Sequence, residues 1–504
     1  MKTFTERWVQ FTAYFFILLF CYAAVSKAMD FENFQIQIAQ SPLLSSFSGF
    51  VSYGILWIEL AVCILLIFER TRIAGLYSSL FLMVCFSIYI YLILNYSEFI
   101  PCSCGGILEK MGWKTHLTFN LATVLLSGTS LLISSYRKQR NVILTWAGII
   151  ATVISGTGIV IVLYWQSEYI IKNENNFTRR FLQHPANEDK RINLGYNSYY
   201  FAGVTEDSVY LGNYTSPFTM TSMNVKLNTT KDLSIKPNTY DFNFKRAQLQ
   251  VNGSTYYLYD GTVPVIYKGT VGQSNVQAIS TKQAFFSQLT SIKKDNFAFS
   301  TYYVPSGIQA LGLLTADNKT KIRMKPGLLK KYKDGVFDTD GQLHYDSVNG
   351  KLVYVHYYKN QYLVLDHNLN ITGNFKTIDT ISRPQIEVTR LKDGRRKMNK
   401  PPFKVNVRSA VSNGLLFNQS NLMGRHENRE QWQKNAVIDL YSIEKQLYIG
   451  SFYIPKSKDI RKIQFEANSH YLFVLIGNEM VRYSFAQNIS KHFRKGEAEN
   501  LTPE

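Results

Sequence analysis

Two cysteines stand one residue apart in Pro101-Cys102-Ser103-Cys104-Gly105-Gly106. Oxidation of a Cys-x-Cys pair closes a small, tight ring. Strained disulfides are reduced and exchanged more readily than relaxed ones. Gly105 and Gly106 carry no side chain to hold a partner's backbone away. The pair reads either as an exchange-active redox site or as a staple for its own loop. Two thiolates do not fill a tetrahedral shell, so a zinc site is the weaker reading and no metal is expected. His116 is a further ligand type, but its place at the mouth of a helix suits an interface residue.

The other three cysteines, Cys21, Cys63 and Cys85, lie inside apolar runs, where a free thiol packs as a small apolar group. Glu59 is the one acid in the middle of such a run, Leu56-Trp57-Ile58-Glu59-Leu60. An ionisable group at that depth is costly and marks a functional candidate. A structural hydrogen bond to a neighbouring helix is the plainer role. A proton path or a quinone-facing site is the chemical one, and no other cofactor is evident. His116 and Asn120, four residues apart, share one helix face and are the expected partners. Lys27 and Asp30 are expected over the mouth of the bundle.

These residues sit on five apolar runs, about Val9–Ala28, Phe50–Phe68, Ile73–Leu94, Leu117–Tyr136 and Val142–Trp165. Each has the roughly 20 residues that cross a bilayer core of about 30 Å. A backbone in lipid must satisfy its own hydrogen bonds, which predicts five helices. The first run, with Lys2 and Arg7 ahead of it and Ala23, Ala24 and Ala28 behind, also has the outline of a cleaved signal peptide; a retained helix is the favoured reading. Lys2, Arg7, Arg70, Arg72, Arg137, Lys138 and Arg140 fall on one side of the spans. The opposite loops hold only Lys27, Lys110 and Lys114. The expected topology is a multi-pass inner-membrane protein with a cytoplasmic N-terminus and a periplasmic C-terminal region.

The averages hide this division. The chain has 504 residues, 46% of them hydrophobic and 18% charged, with a net charge of +19 and a mean hydropathy of −0.10. There is too much apolar material for a disordered chain. Five cysteines are too few for a disulfide scaffold, and the length exceeds a single ordinary domain. From about Gln166 the long apolar runs stop. That region carries about 45 Lys+Arg against about 29 Asp+Glu, so most of the net charge lies there. No nucleic-acid-binding signature accompanies it. The charge reads as a solvated basic surface or as attraction to acidic partners. Arg390 to Pro402, with Lys392, Arg395, Arg396, Lys397 and Lys400, is the strongest basic run and reads as an exposed loop.

The N-terminal residues resemble the MauE/DoxX superfamily of small four-helix redox-associated membrane proteins. Three stretches carry the resemblance. Ser26-Lys27-Ala28-Met29-Asp30, running on through Phe34 to Ile38-Ala39-Gln40-Ser41-Pro42-Leu43-Leu44, looks like the family's link between helices one and two. Trp57-Ile58-Glu59-Leu60 is similar to its acidic second helix. Pro101 to Trp113, followed by His116-Leu117 and Phe119-Asn120, looks like the cysteine loop of MauE-like members. The resemblance covers residues 1–137. It implies a four-helix membrane domain tied to thiol or sulfur redox chemistry. For MauE this means methylamine utilisation and disulfide maturation of a partner. A fifth helix over 138–165 and a large C-terminal region depart from the family pattern.

Residues 166–504 alternate short strands with turn signals. Tyr199–Gly203, Thr255–Tyr259 before Asp260-Gly261, and Leu352–Tyr357 after Asn349-Gly350 are examples. Tyr362–Asp366 leading to Gly373–Phe375 and Ala436–Leu440 leading to Gly450–Phe452 suggest a loose repeat. Ile463–Phe465, Tyr471–Leu475 and Met480–Tyr483 suggest three strands of another unit. Units of about 50 residues predict an all-β propeller of six or seven blades; a large β-sandwich is the alternative. His344, His356 and His367 show no spacing logic and read as ordinary surface or core residues.

The leading expectation is a membrane thiol-redox component, an oxidoreductase component if catalytic. Cys102 and Cys104 would act on an extracytoplasmic thiol/disulfide protein. The alternative is a non-catalytic, membrane-anchored propeller receptor or sensor.

Overall fold

A computed structural model describes residues 2–31, 34–35, 38, 48–96, 112–137, 141–172, 177–239, 241–316, 321–390, 396–398, 403–456 and 463–493. The chain divides into two compact units. One is Met1–Glu174 together with Ile386–Pro402. The other is Asn175–Gln385 with Phe403–Glu504.

The first unit contains α1 (Lys2–Met29), α2 (Ser48–Ile67), α3 (Arg72–Tyr96), α4 (Trp113–Arg137) and α5 (Val142–Lys172). All five are long and apolar enough to cross a membrane, as expected of a multi-pass membrane protein. The first four close a ring, α1 against α2, α2 against α3, α3 against α4, and α4 back against α1. Ala13, Phe16 and Phe20 of α1 meet Val62 and Leu66, Leu76 and Leu80, and Leu131 in the common core. The first run is thus an integral helix of the bundle. α5 lies outside the ring, mainly on α3. Small residues let it come close: a Cβ on Gly156 would stand 3.2 Å from Val84, and one on Gly148 would stand 2.8 Å from the Tyr77 hydroxyl.

The second unit is a six-bladed β-propeller. Its first strand, β1 (Ala186–Asn193), is set aside for the last blade. Blade one is β2 (Tyr199–Val204), β3 (Ser208–Asn213), β4 (Thr219–Asn224) and β5 (Thr230–Ser234). A two-residue β6 (Lys236–Pro237) flanks blade two, which is β7 (Gln248–Asn252), β8 (Thr255–Asp260), β9 (Val265–Thr270) and β10 (Asn275–Thr281). Blade three is β11 (Gln288–Lys293), β12 (Asn296–Tyr303), β13 (Ile308–Thr315) and β14 (Lys321–Lys325). Blade four is β15 (Gly341–Asp346), β16 (Lys351–His356), β17 (Tyr362–Leu365) and β18 (Ile371–Phe375). A hairpin that belongs to the first unit, β19 (Val388–Arg390) and β20 (Arg396–Met398), intervenes in the chain before blade five, which is β21 (Asn406–Ser412), β22 (Leu415–Ser420), β23 (Asn435–Ser442) and β24 (Tyr448–Pro455). Blade six is β25 (Ile463–Ala467), β26 (Tyr471–Ile476) and β27 (Glu479–Phe485), completed by β1.

The innermost strands β2, β7, β11, β15, β21 and β25 meet in turn and close the ring. That fixes six blades from the sequence's six or seven. The closing seam pairs Ala186 with Phe485 and Asn193 with Glu479. It makes the chain's first strand the outermost strand of the last blade, tying the two ends of the propeller together, and leaves only the short outer edges typical of this architecture.

Tyrosine explains much of the packing. Tyr256, Tyr354 and Tyr362 are buried yet place their hydroxyls on the carbonyls of Gln273 (2.7 Å), Thr339 (2.9 Å) and Ser442 (3.0 Å). A ring fills core volume while its hydroxyl satisfies a backbone group, which suits Tyr to spaces between sheets. Glycine makes room for two such rings. A Cβ on Gly212 would lie 2.2 Å from the Tyr200 ring, and one on Gly269 would lie 2.5 Å from that of Tyr256.

Candidate functional site

Glu59 is 1% exposed and forms an ion pair with Lys27 across α1 and α2. The expectation for these residues shifts accordingly. Lys27, placed by sequence over the bundle mouth, reaches inward to become the acid's partner. Its ammonium also faces two aromatic rings, 5.6 Å from the centroid of Phe34 and 5.9 Å from that of Phe86. A buried acid thus keeps its charge compensated, which a site in apolar surroundings requires.

The expected partners His116 and Asn120 lie at the same end of the bundle. Thr12 and Ser130 touch through their hydroxyls at 2.8 Å, which sets α1 against α4. Counting from that contact at about 1.5 Å per residue, Lys27 lies roughly 22 Å along α1 and His116 roughly 21 Å back along α4. Asn120 is buried and its Nδ2 has no hydrogen-bond partner among the described residues. The same holds for His116 Nδ1 and Glu59 Oε2. A buried polar atom without a partner in an apolar bundle is costly, and a ligand or a proton-transfer path would relieve it.

Further along α1 and α2 the bundle holds a contact the sequence did not suggest. Cys21 Sγ lies 3.6 Å from Cys63 Sγ, and Cys63 donates to the Ile17 carbonyl at 3.7 Å. Cys85 has no such thiol neighbour among the described residues; it donates to the Gly156 carbonyl at 3.7 Å. Cys102 and Cys104, with Gly105 and Gly106, lie outside the described residues, as do Lys138 and Arg140.

In the propeller, glutamines on innermost strands bridge neighbouring blades. Gln250 accepts from Ser291 N at 2.9 Å. Gln288 donates to the Gly341 carbonyl at 2.6 Å and accepts from Leu343 N at 3.0 Å. Gln342 accepts from Ser409 N at 2.9 Å, and Gln464 donates to the Tyr199 carbonyl at 3.2 Å. The half-exposed side chains of Gln250, Gln288, Gln342 and Gln464 mark an inner face more polar than the sheet cores. His344, read from sequence as unremarkable, belongs to this face, with Nε2 2.8 Å from Ser409 Oγ. Burial pushes its imidazole down to about 4, and the Arg408 charge adds to that. Burial pushes Glu466 up to about 7, with Arg408 pulling the other way. His356 is buried in blade four against Tyr354, and His367 is exposed beside Asn368. In the basic run, Arg396 and Lys397 are half-buried and Met398 is buried, in a short hairpin with Val388–Arg390. Lys392, Arg395 and Lys400 lie outside the described residues.

Residues 5–133 match the family of the methylamine utilisation protein MauE. The matched segment holds α2 and α3 and nearly all of α1 and α4, so the ring of four helices is the MauE-like part. Cys21, Glu59, Cys63, Cys102, Cys104, His116 and Asn120 all fall within it. Comparison with curated proteins finds no match. Among solved structures, a DUF4221-family member from Bacteroides vulgatus is 10% identical, with 62% of this chain and 99% of that chain covered and a TM-score of 0.39. The structure titled YCF48 bound to D1 peptide is 12% identical, covering 61% of this chain and all of that one, at a TM-score of 0.34. A protein of unknown function from Bacteroides thetaiotaomicron is 9% identical over 62% of this chain and 76% of its own, at 0.36.

Proposed function

We propose that the chain is the membrane-embedded component of a thiol–disulfide exchange system. Cys102 and Cys104 exchange a disulfide with a protein outside the cytoplasm, and the propeller holds that protein nearby. The match of residues 5–133 to the methylamine utilisation family carries this reading. The distribution of Lys2, Arg7, Arg70, Arg72 and Arg137 supports a cytoplasmic N-terminus and a periplasmic propeller. In the exchange, a thiolate of the partner attacks the Cys102–Cys104 disulfide and forms a mixed disulfide. The partner's second thiol resolves it, leaving the partner oxidised and Cys102 and Cys104 as thiols. Tethering by the propeller raises the partner's effective concentration without adding chemistry.

The test is trapping. Cys104→Ser leaves Cys102 able to attack the disulfide of the oxidised partner, the reverse of the exchange above, and to form a mixed disulfide that Cys104 is no longer there to resolve. Acid quenching and alkylation of cells carrying it should recover a disulfide-linked partner. The Cys102→Ser/Cys104→Ser double variant should lose both the adduct and the oxidation of that partner. No adduct, together with an unaffected double variant, would sink the proposal.

A second reading, a membrane-anchored receptor, is favoured by the polar inner face bearing Glu466, Arg408 and His344. It predicts ligand binding by the full-length protein that survives loss of both loop cysteines but not Arg408→Met.

A further inference from the structure

We infer that Cys21 and Cys63 form a second dithiol site, inside the membrane bundle, that is oxidised reversibly to a disulfide by a lipid-soluble quinone. The two sulfurs belong to different helices and stand 3.6 Å apart, in contact but not bonded. A disulfide needs them about 2.05 Å apart, so a movement of roughly 1.5 Å between α1 and α2 would suffice.

A second feature sits beside the pair. Glu59 and Cys63 are four residues apart on α2 and share one helix face. Glu59 Oε2 is buried and has no hydrogen-bond partner among the described residues, while Oε1 is held by Lys27. A thiol must lose its proton to attack or to be oxidised. A carboxylate oxygen one turn away in an apolar bundle is the group placed to receive it.

The location selects the oxidant. Cys21 lies within the span Thr5–Met29 and Cys63 within Gly49–Ile67, each at least a helical turn from the end of its span. Both thiols lie within apolar spans, which favours an oxidant that dissolves in lipid over a water-soluble disulfide such as oxidised glutathione. The acceptor must dissolve in lipid and take two electrons with two protons, which describes a quinone. Both S–H bonds break and one S–S bond forms. The two electrons and two protons pass to the quinone, which leaves as the quinol, with Glu59 carrying the first proton. The inference does not depend on Cys102 and Cys104, so it stands or falls apart from the exchange proposed above.

The experiment uses full-length Cys102→Ser/Cys104→Ser protein in lipid vesicles, reduced and then exposed to a short-tailed ubiquinone analogue. Peptide mapping without reduction should find Cys21 joined to Cys63 and Cys85 free. One quinol should appear per disulfide, and dithiothreitol should restore both thiols. Adding Cys21→Ser should abolish quinol formation. Adding Glu59→Gln should slow it by about a hundredfold, the range of a lost general base; Glu59→Asp, which keeps the carboxylate, should recover most of the rate. The proposal is overturned if Cys21 and Cys63 stay as alkylatable as Cys85. It is also overturned if diamide joins them while the quinone does not, since the contact is then packing that only a strong oxidant can force. Quinol formation that persists in Cys21→Ser overturns it as well.

Discussion

Arg179 and Asp439 are joined in a buried ion pair across 260 residues, Nε to Oδ1 at 2.8 Å. The same guanidinium donates to Glu427 at 2.6 Å and to the Leu422 carbonyl at 2.8 Å. One side chain thus ties the segment entering the propeller to blade five. Arg179→Met leaves two buried carboxylates without their cation, a loss on the order of 3–5 kcal/mol. Thermal unfolding of the full-length variant in detergent should show the β signal melting well below wild type. An unchanged midpoint would show that the pair contributes little.

The Lys27–Glu59 pair should behave as a buried couple. Lys27→Met alone strands a carboxylate in the bundle, at a cost of about 3–5 kcal/mol. Pairing it with Glu59→Leu removes the stranded charge and should restore most of the stability. A double-mutant cycle on helical unfolding in mixed micelles measures the coupling. Simple additivity would mean that the two charges act independently.

Gln288 fills two backbone partners of the next blade, Gly341 and Leu343, at 2.6 and 3.0 Å. Gln288→Leu keeps the volume but leaves a buried carbonyl and an amide unpaired, worth about 2–4 kcal/mol. Urea titration followed by β-sheet circular dichroism should show an earlier transition. Gln288→Glu, which keeps only the acceptor, should fall between the two.

Glu466 makes the propeller sensitive to pH. Burial holds its carboxyl at about 7 in the folded protein, above the ordinary value of 4.5. The native state therefore keeps a proton that the unfolded chain has already released. The stabilisation is complete below about pH 4.5 and is lost as pH rises through about pH 7. Urea midpoints of wild type minus those of Glu466→Gln should decline across that window. A difference that stays flat with pH would count against the buried-acid account. His344, held low by burial, contributes the opposite slope in both proteins and cancels in the subtraction.

The coarse architecture was legible in the chain. Lipid demands about 20 apolar residues per crossing, and five such runs became five helices. Alternation and turn residues marked Tyr199–Gly203 and Leu352–Tyr357, within a residue of the strands Tyr199–Val204 and Lys351–His356. Glu59 was legible as an acid in an apolar run, yet its partner was not. His116 and Asn120 were chosen by spacing on one helix, whereas Lys27 reaches it through the relative height of two helices, which no local pattern encodes. Cys21 and Cys63 met for the same reason. The interblade glutamines carry a faint signal, since Gln recurs on innermost strands at 250, 288, 342 and 464. It becomes readable only once those strands are known to be innermost.

The seam between β1 and β27 has a consequence for how the propeller comes into being. Ala186 finds its place opposite Phe485, about 300 residues later. During synthesis the earliest strand must wait, unpaired, while five blades are made. Closure of the ring is therefore among the last events of folding and joins the two most distant parts of the domain. Such long-range pairing is slow. Until it occurs, β1 and the opposing edge of β27 are open to strands from other chains, a window in which chaperone protection would matter most.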